Sequence, residues 1–247
     1  MLILEPYIFK EFSEIVLGFS TKYGRDYIPP FYFNLSLSVD DDRGKVINNR
    51  NQFFGSLGIS PGNAAFQKQV HGDNITYVTA PGHSGESDSM ITAKKGIALC
   101  ISTADCTAVF IYDIRRKIVA AVHSGCRGTH KRITEKTVRK LKSDFNCNPG
   151  DLFVYLGPSI NQVNYEVGKD VAELFDSGYL NTSDGKFFLD VSSANYDMLI
   201  NEGIPPCQIQ QSSLCSFEYI ELFHSYRRDG KRSGRSLGII AMKEPDE

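Results

Sequence analysis

Runs rich in β-branched and aromatic residues occur at positions 32–36, 74–78, 96–102, 107–112, 118–123, 152–156, 208–212 and 236–242, and each predicts a strand. Helical signals are fewer. After Gly128, Thr129 is a candidate N-cap for a helix that keeps Ile133, Val138, Leu141 and Phe145 roughly on one face and ends before Pro149. Ser192 is the candidate cap of a second helix, with Ala194, Met198 and Leu199 inward, Gly203 as its left-handed C-terminal residue and Pro205 just beyond. A third, weaker pattern spans 170–175. Strands and helices do not alternate regularly, which disfavours a doubly wound parallel sheet. The expected fold is α+β, with mixed β-sheets packed together and helices on the outside. No repeat, low-complexity tract or linker divides the chain, so residues 1–247 are expected to form a single domain.

Composition supports a folded enzyme-sized unit. The 247 residues include 41% hydrophobic and 11% aromatic side chains, enough for a sizeable core and unlike a disordered, collagenous or coiled-coil chain. Lys and Arg number 27 against 29 Asp and Glu, a formal net charge of -2. That balance lacks the positive field on which sequence-independent nucleic-acid binding depends. Neither nucleic acid nor a membrane surface is an expected partner. No window approaches the ~18 uninterrupted apolar residues of a membrane span. The opening Met1 to Pro6 has no basic leader and too short an apolar stretch for a signal peptide, so a cytoplasmic protein is expected. The six cysteines are scattered through a chain large enough to fold without staples and read as reduced thiols, at least one of them chemical.

Candidate chemistry gathers in polar clusters at strand ends, where a rigid scaffold presents side chains to a cleft. Gln69-Val70-His71-Gly72 precedes the run 74–78. Thr103-Ala104-Asp105-Cys106-Thr107 separates two apolar runs. His123-Ser124-Gly125-Cys126-Arg127-Gly128 leaves the run 118–123 and enters the helix expected from Thr129. The last is a Gly-rich turn running into a helix N-terminus, and with Arg127 it suits an anion such as phosphate. Taken singly, a His at a strand end is most often a structural hydrogen-bonder and a Cys between apolar runs a small core residue. Together, two imidazoles and a thiol form a borderline-soft set for Zn²⁺ or copper, and three protein ligands leave the open position of a catalytic site. The separations between His71, Cys106 and His123 match no finger or HExxH spacing, so spacing alone carries little.

The ordered motifs are more specific. Gln69-Val70-His71-Gly72, Ala104-Asp105-Cys106, Val122-His123-Ser124-Gly125-Cys126-Arg127-Gly128-Thr129, Leu156-Gly157-Pro158-Ser159-Ile160 and Ser225-Tyr226-Arg227-Arg228-Asp229-Gly230 resemble the YfiH or laccase-domain family, also called the multicopper polyphenol oxidase family. Asn34-Leu35-Ser36, Asn49-Arg50 and Gly234-Arg235 fit the same pattern, so the resemblance covers nearly the whole chain. It implies a purine nucleoside phosphorylase acting on adenosine, inosine or methylthioadenosine, which also deaminates adenosine. It implies a metal, zinc or else copper, on His71, Cys106 and His123. Catalytic roles fall to Cys106, Asp105 and Arg127, and substrate binding to Asn34, Arg50, Gln69 and Arg227. The family is also linked to peptidoglycan editing and to copper-dependent phenol oxidation. This chain departs from the family where Trp is usual, carrying Ser124 and Cys126 around Gly125 and no Trp at all. His224 stands in a place usually aromatic, and Ser89 in one usually Ala.

Phosphorolysis calls for a phosphate beneath the anomeric carbon and for stabilisation of the departing base. Arg127 and the following helix N-terminus are the expected phosphate holders, with Arg50 or Arg227 sharing the load. Deamination would use the same open metal position, with Asp105 as proton carrier. A competing scheme makes Cys106 the nucleophile of an amidase acting on a peptidoglycan precursor, with His123 or His71 as base. A third makes the run Arg227, Arg228, Lys231, Arg232 and Arg235 a docking patch for an acidic partner, although its interleaved Asp229, Gly230 and Gly234 suit a solvated turn better. Asp40-Asp41-Asp42, followed by Arg43 and Gly44, likewise reads as a solvated turn.

Overall fold

The computed structural model describes residues 1–25 and 27–244. With elements numbered along the chain, one six-stranded sheet has the order β1 (Ile3–Leu4), β2 (Ile15–Ser20), β15 (Ser236–Met242), β7 (Ala98–Thr103), β3 (Ala64–Lys68), β5 (Gly82–Glu86). A second has the order β14 (Ile209–Gln211), β10 (Leu152–Leu156), β8 (Thr107–Asp113), β9 (Ile118–Ser124), β6 (Ser89–Thr92), β4 (Ile75–Tyr77). A small sheet joins β11 (Glu166–Val167), β13 (Lys186–Leu189) and β12 (Leu180–Ser183). Both large sheets are mixed: β3 runs parallel to β5 and β7, and β10 runs parallel to β14 but antiparallel to β8. The fold is a single-domain α+β arrangement.

Its layers follow from side-chain alternation. On one face of β8 and β9, Ala108, Phe110 and Ala121 meet Phe19, Leu99, Ile101 and Ile240 of the other sheet. On the opposite face, Val109, Ile111 and Val122 pack under Ile133, Val138 and Leu141 of α3 (Ile133–Phe145) and Leu199 of α5 (Val191–Asn201). These strands are therefore buried on both faces and read as continuous apolar runs, and each wholly buried aliphatic side chain adds about 1.5–3 kcal/mol. Gly238 of β15 lies where the sheets press together. A Cβ there would stand 2.5 Å from Phe110 Cζ and 2.9 Å from Phe19 Cδ2. Outside the first sheet, Phe53 and Phe54 of α1 (Arg43–Ser56) pack with Ala64, Cys100, Leu237 and Ile239.

Several local expectations are corrected. Residues 32–36 are not a strand: Tyr32 has φ 49°, the Phe33 N–H donates to Lys22 O, and the Leu35 N–H donates to Arg235 O. Phe33 and Leu35 are wholly buried, so their alternation imitates a strand while the backbone bonds are split between two partners. The Asp40-Asp41-Asp42 run does not end in a solvated turn, because Asp42 caps α1 by accepting the Lys45 N–H at 2.7 Å. Thr129 is no N-cap. It lies inside the one-turn α2 (Cys126–His130), and Arg132, at φ 62°, breaks the chain before α3 begins. Asp190, rather than Ser192, caps α5 by accepting the Ser193 N–H at 2.9 Å. The 170–175 pattern shortens to α4 (Lys169–Ala172), and α6 (Tyr226–Asp229) adds a further turn.

Candidate metal centre

Three chain connections deliver the donor atoms to one place. His71 lies in the turn after β3, Cys106 in the connection from β7 to β8, and His123 near the end of β9. One ligand atom from each of His71, Cys106 and His123 lies within 4.8 Å of the other two. The imidazoles meet edge to face with ring centroids 4.9 Å apart. His71 is exposed, Cys106 half-buried and His123 buried, so the group is open on the His71 side.

Asp88 holds both histidines. Its Oδ1 lies 2.8 Å from His123 Nδ1 and accepts the His71 N–H at 3.0 Å, while its Oδ2 accepts the N–H groups of Gly72 at 2.7 Å and Val70 at 3.1 Å. These bonds secure a turn in which His71 takes the left-handed φ of 57°. With Nδ1 so engaged, His123 has Nε2 left for a ligand, the usual carboxylate–histidine–metal arrangement. Burial alone would raise the Asp88 carboxyl, but His123 and the Gly72 N–H outweigh it and hold the group below the ordinary carboxylate value.

Cys106 follows Asp105, which has φ 90°, and its carbonyl accepts the Thr103 hydroxyl at 2.5 Å. Burial by itself would raise the Cys106 thiol and depress His123. Their mutual attraction, with His71 acting on the thiol and Asp88 on the imidazole, reverses both effects. The pair therefore leans to thiolate and imidazolium when no metal is present. Gly125 is the close neighbour, since a Cβ there would fall 2.7 Å from Cys106 Sγ and 3.3 Å from His71 Cδ2. Two imidazoles and a readily ionised thiol at this separation form a donor set able to hold a metal ion.

Residues 16–243 match the family described as multi-copper polyphenol oxidoreductase laccase. The chain belongs to this family. A relative from Deinococcus radiodurans named purine nucleoside phosphorylase is 33% identical over 230 residues, 91% of this chain and 88% of that protein. Another of the same name, from Bacteroides thetaiotaomicron, is 30% identical over 230 residues, 85% of each. The crystal structure of YlmD from Geobacillus stearothermophilus is similar at a TM-score of 0.90 and 30% identity, covering 95% of this chain and 94% of that one.

The other residues singled out from the sequence fall into different settings in this laccase-family chain. Asp105 adjoins Cys106, but its Oδ1 accepts the Ser216 hydroxyl and its Oδ2 the Arg227 N–H, both at 2.7 Å. It ties the Cys106 turn to the C-terminal segment. Gln69 is clipped to Ser102 of β7, its Nε2 donating to Ser102 O at 2.7 Å and its Oε1 accepting the Ser102 N–H at 2.8 Å. Asn34 is buried, with its amide bonded to Ser36, Asp41 and the Arg235 N–H. Arg50 donates to Leu35 O at 2.7 Å and covers the Phe66 ring at 4.2 Å.

Arg127 is exposed on α2, a helix of a single turn, so little helix dipole stands behind it. Arg227 is exposed, bonded to Glu166 O and 5.0 Å from the Tyr165 ring centre. The basic C-terminal run is not one patch, because Arg228 spends its guanidinium on the carbonyls of Ser216, Phe217 and Phe223 and on Asp229. Asp88 and Tyr165 received no role from the sequence. Asp88 stands in Ser87-Asp88-Ser89-Met90, and nothing local to that segment shows that its carboxylate meets the His71 turn and His123. Burial pushes the Tyr165 hydroxyl up, with the Cys126 and Cys106 thiols among its neighbours, so an aromatic ring does stand beside the site despite the missing Trp.

Proposed function

We propose that this chain is a metal-dependent purine nucleoside phosphorylase that also deaminates adenosine. The carrying observation is the convergence of His71, Cys106 and His123 beside arginines, in a chain whose relatives are named purine nucleoside phosphorylases. Zinc suits a thiolate and two imidazoles, and when bound it would act as a Lewis acid toward a substrate oxygen or nitrogen. Copper suits the same donors, but one three-donor group holds too little metal for a multicopper relay, and no second such group occurs among the described residues. In phosphorolysis a phosphate oxygen bonds to C1′ of the ribose as the C1′–N9 bond breaks. The bonding pair goes to the purine, which takes a proton from water, and ribose 1-phosphate remains. The protein's part is to hold the phosphate dianion with guanidinium groups, to fix the ribose, and to keep Cys106 and His123 in register through Asp88. Asp105 orders the turn carrying Cys106.

Free thiols at all six cysteines accord with the cytoplasm as the working compartment. No helix among the described residues is long and apolar enough to cross a membrane.

A second reading rests on the thiolate–imidazolium pair: Cys106 as nucleophile on the amide carbonyl and His123, which has taken the thiol proton, as the acid that gives it to the leaving amine, in an amidase acting on peptidoglycan precursors. The test incubates pure protein with adenosine, with and without phosphate, and separates adenine, inosine and hypoxanthine. Phosphate-dependent adenine is the expected product. In Cys106→Ala, turnover and bound metal should disappear together, whereas full metal content with lost turnover would favour the nucleophile. Alkylation of Cys106 should be slow with metal bound and fast after chelation.

A further inference from the structure

Several arginines stand near the metal ligands or the 34–36 segment, and their surroundings differ. Arg127 is exposed and its side chain makes no hydrogen bond within the described residues. Arg227 is exposed and committed to Glu166 O. Arg50 is half-buried, but it lies on the Leu35 and Phe66 side of the 34–36 segment, where its titratable neighbours are the buried Cys100 thiol and Arg43. Arg235, at the start of β15, is half-buried and has Asp105 and Cys106 as its acidic neighbours.

The Arg235 guanidinium is fixed at one end. Its Nη1 donates to Ser233 O at 2.7 Å and Gly234 O at 2.9 Å, its backbone N–H donates to Asn34 Oδ1 at 3.0 Å, and its Cζ lies 5.3 Å from the Tyr226 ring centre. No carboxylate pairs with it among the described residues, because both Asp105 oxygens are occupied by Ser216 and by the Arg227 N–H. Its Nε and Nη2 make no hydrogen bond within the described residues. They form the side edge of the guanidinium, two parallel N–H donors whose spacing matches two oxygens of a phosphate or carboxylate. A half-buried cation with an idle bidentate edge has lost hydration without gaining an anion, and an arriving oxyanion restores that balance.

We propose that Arg235 grips the phosphate co-substrate through its Nε–Nη2 edge, with Arg127 outside that contact. This rests on the phosphorylase reading for the identity of the anion, while the binding edge itself rests on the surroundings of Arg235. The test compares wild type, Arg235→Gln, Arg235→Lys and Arg127→Gln, all metal-loaded. It reads the KM for phosphate and for adenosine, and, without nucleoside, the binding of inorganic phosphate by calorimetry, with acetate as the planar-carboxylate control. Arg235→Gln should raise the phosphate KM and weaken phosphate binding roughly 10–100-fold while moving the adenosine KM far less. Arg235→Lys, which keeps the charge but loses the fork, should fall between, and it carries the test if the glutamine variant does not fold. Arg127→Gln should change phosphate binding less than Arg235→Gln. Unaltered phosphate binding in the Arg235 variants, or a larger loss from Arg127→Gln, overturns the proposal. Acetate bound as tightly as phosphate by wild type overturns phosphate as the ligand. Phosphate binding that depends on Arg235 in a protein that does not phosphorolyse adenosine would sink the phosphorylase reading and leave the anion site standing.

Discussion

Asp88 accepts N–H groups from three successive residues of the His71 turn and also holds His123, so one carboxylate sets the geometry of two candidate metal ligands. Asp88→Asn keeps the shape but turns part of the acceptor set into a donor facing N–H groups. Metal affinity should fall about 10–100-fold, measured by competition with a chromophoric chelator. An unchanged affinity would remove Asp88 from the centre. His224 makes a different case. It is 1% exposed, and neither ring nitrogen has a hydrogen-bond partner. Burial, with Lys22, Arg235 and Arg228 as positive neighbours and only the Phe33 backbone opposing them, pushes its pKa down to about 3 from 6.5. The unfolded chain therefore takes up a proton that the folded chain refuses. Stability is full above pH 6.5 and drains as pH falls toward 3, at no more than about 1.4 kcal/mol per pH unit. His224→Phe should flatten that slope and give a higher Tm than wild type at pH 5, with a smaller difference at pH 8. Parallel Tm profiles for the two proteins would show that His224 is not the source.

At the scale of elements, α2 is too short to hold itself and is tied down by buried side chains. Ser124 of β9 bonds Thr129 at 2.9 Å, Asn195 of α5 donates to Thr129 Oγ1 at 3.0 Å, and Thr134 of α3 donates to Asn195 Oδ1 at 2.5 Å. Asn195→Ala strands the buried Thr134 hydroxyl and leaves Thr129 with Ser124 alone, and should cost roughly 1–3 kcal/mol, read as a lower Tm, whereas an unchanged Tm would contradict the network. The strands legible in the sequence include the central ones and the edge strands β4 and β14 of the second sheet. β8, β9, β10 and β15 are buried and rich in Val, Ile and aromatic residues, so pattern and structure agree. β3 reads AAFQK, β5 GHSGE and β6 SMIT. Ala, Gly and Ser carry no strand signal, and these segments are strands because their neighbours pair with them. In α1, the inward positions Val46, Asn49, Phe53 and Phe54 keep helical spacing, but Asn49 hides the stripe among polar residues. Phe33 and Leu35 misled in the opposite sense, since a buried irregular segment and a strand present the same alternation.

Across the whole molecule, the three candidate metal ligands stand far apart in sequence and meet only because β3, the β7–β8 connection and β9 converge. No local spacing encodes that meeting. The motif set singled out the three residues that the fold brings together, while Asp88 and the idle edge of Arg235 required the folded arrangement, because neither residue type announces its neighbours. The near-neutral charge of -2 also fits the proposed small substrate rather than a polyanion drawn to a global field. One metal-holding group is proposed to make this chain a phosphorylase. The most direct test follows ribose 1-phosphate by phosphorus NMR, in adenosine and phosphate, with protein that has been stripped by chelator and then restored with one equivalent of zinc. The account predicts no ribose 1-phosphate from the stripped protein and its return with zinc. Equal formation by stripped and restored protein, or none by either, would contradict it.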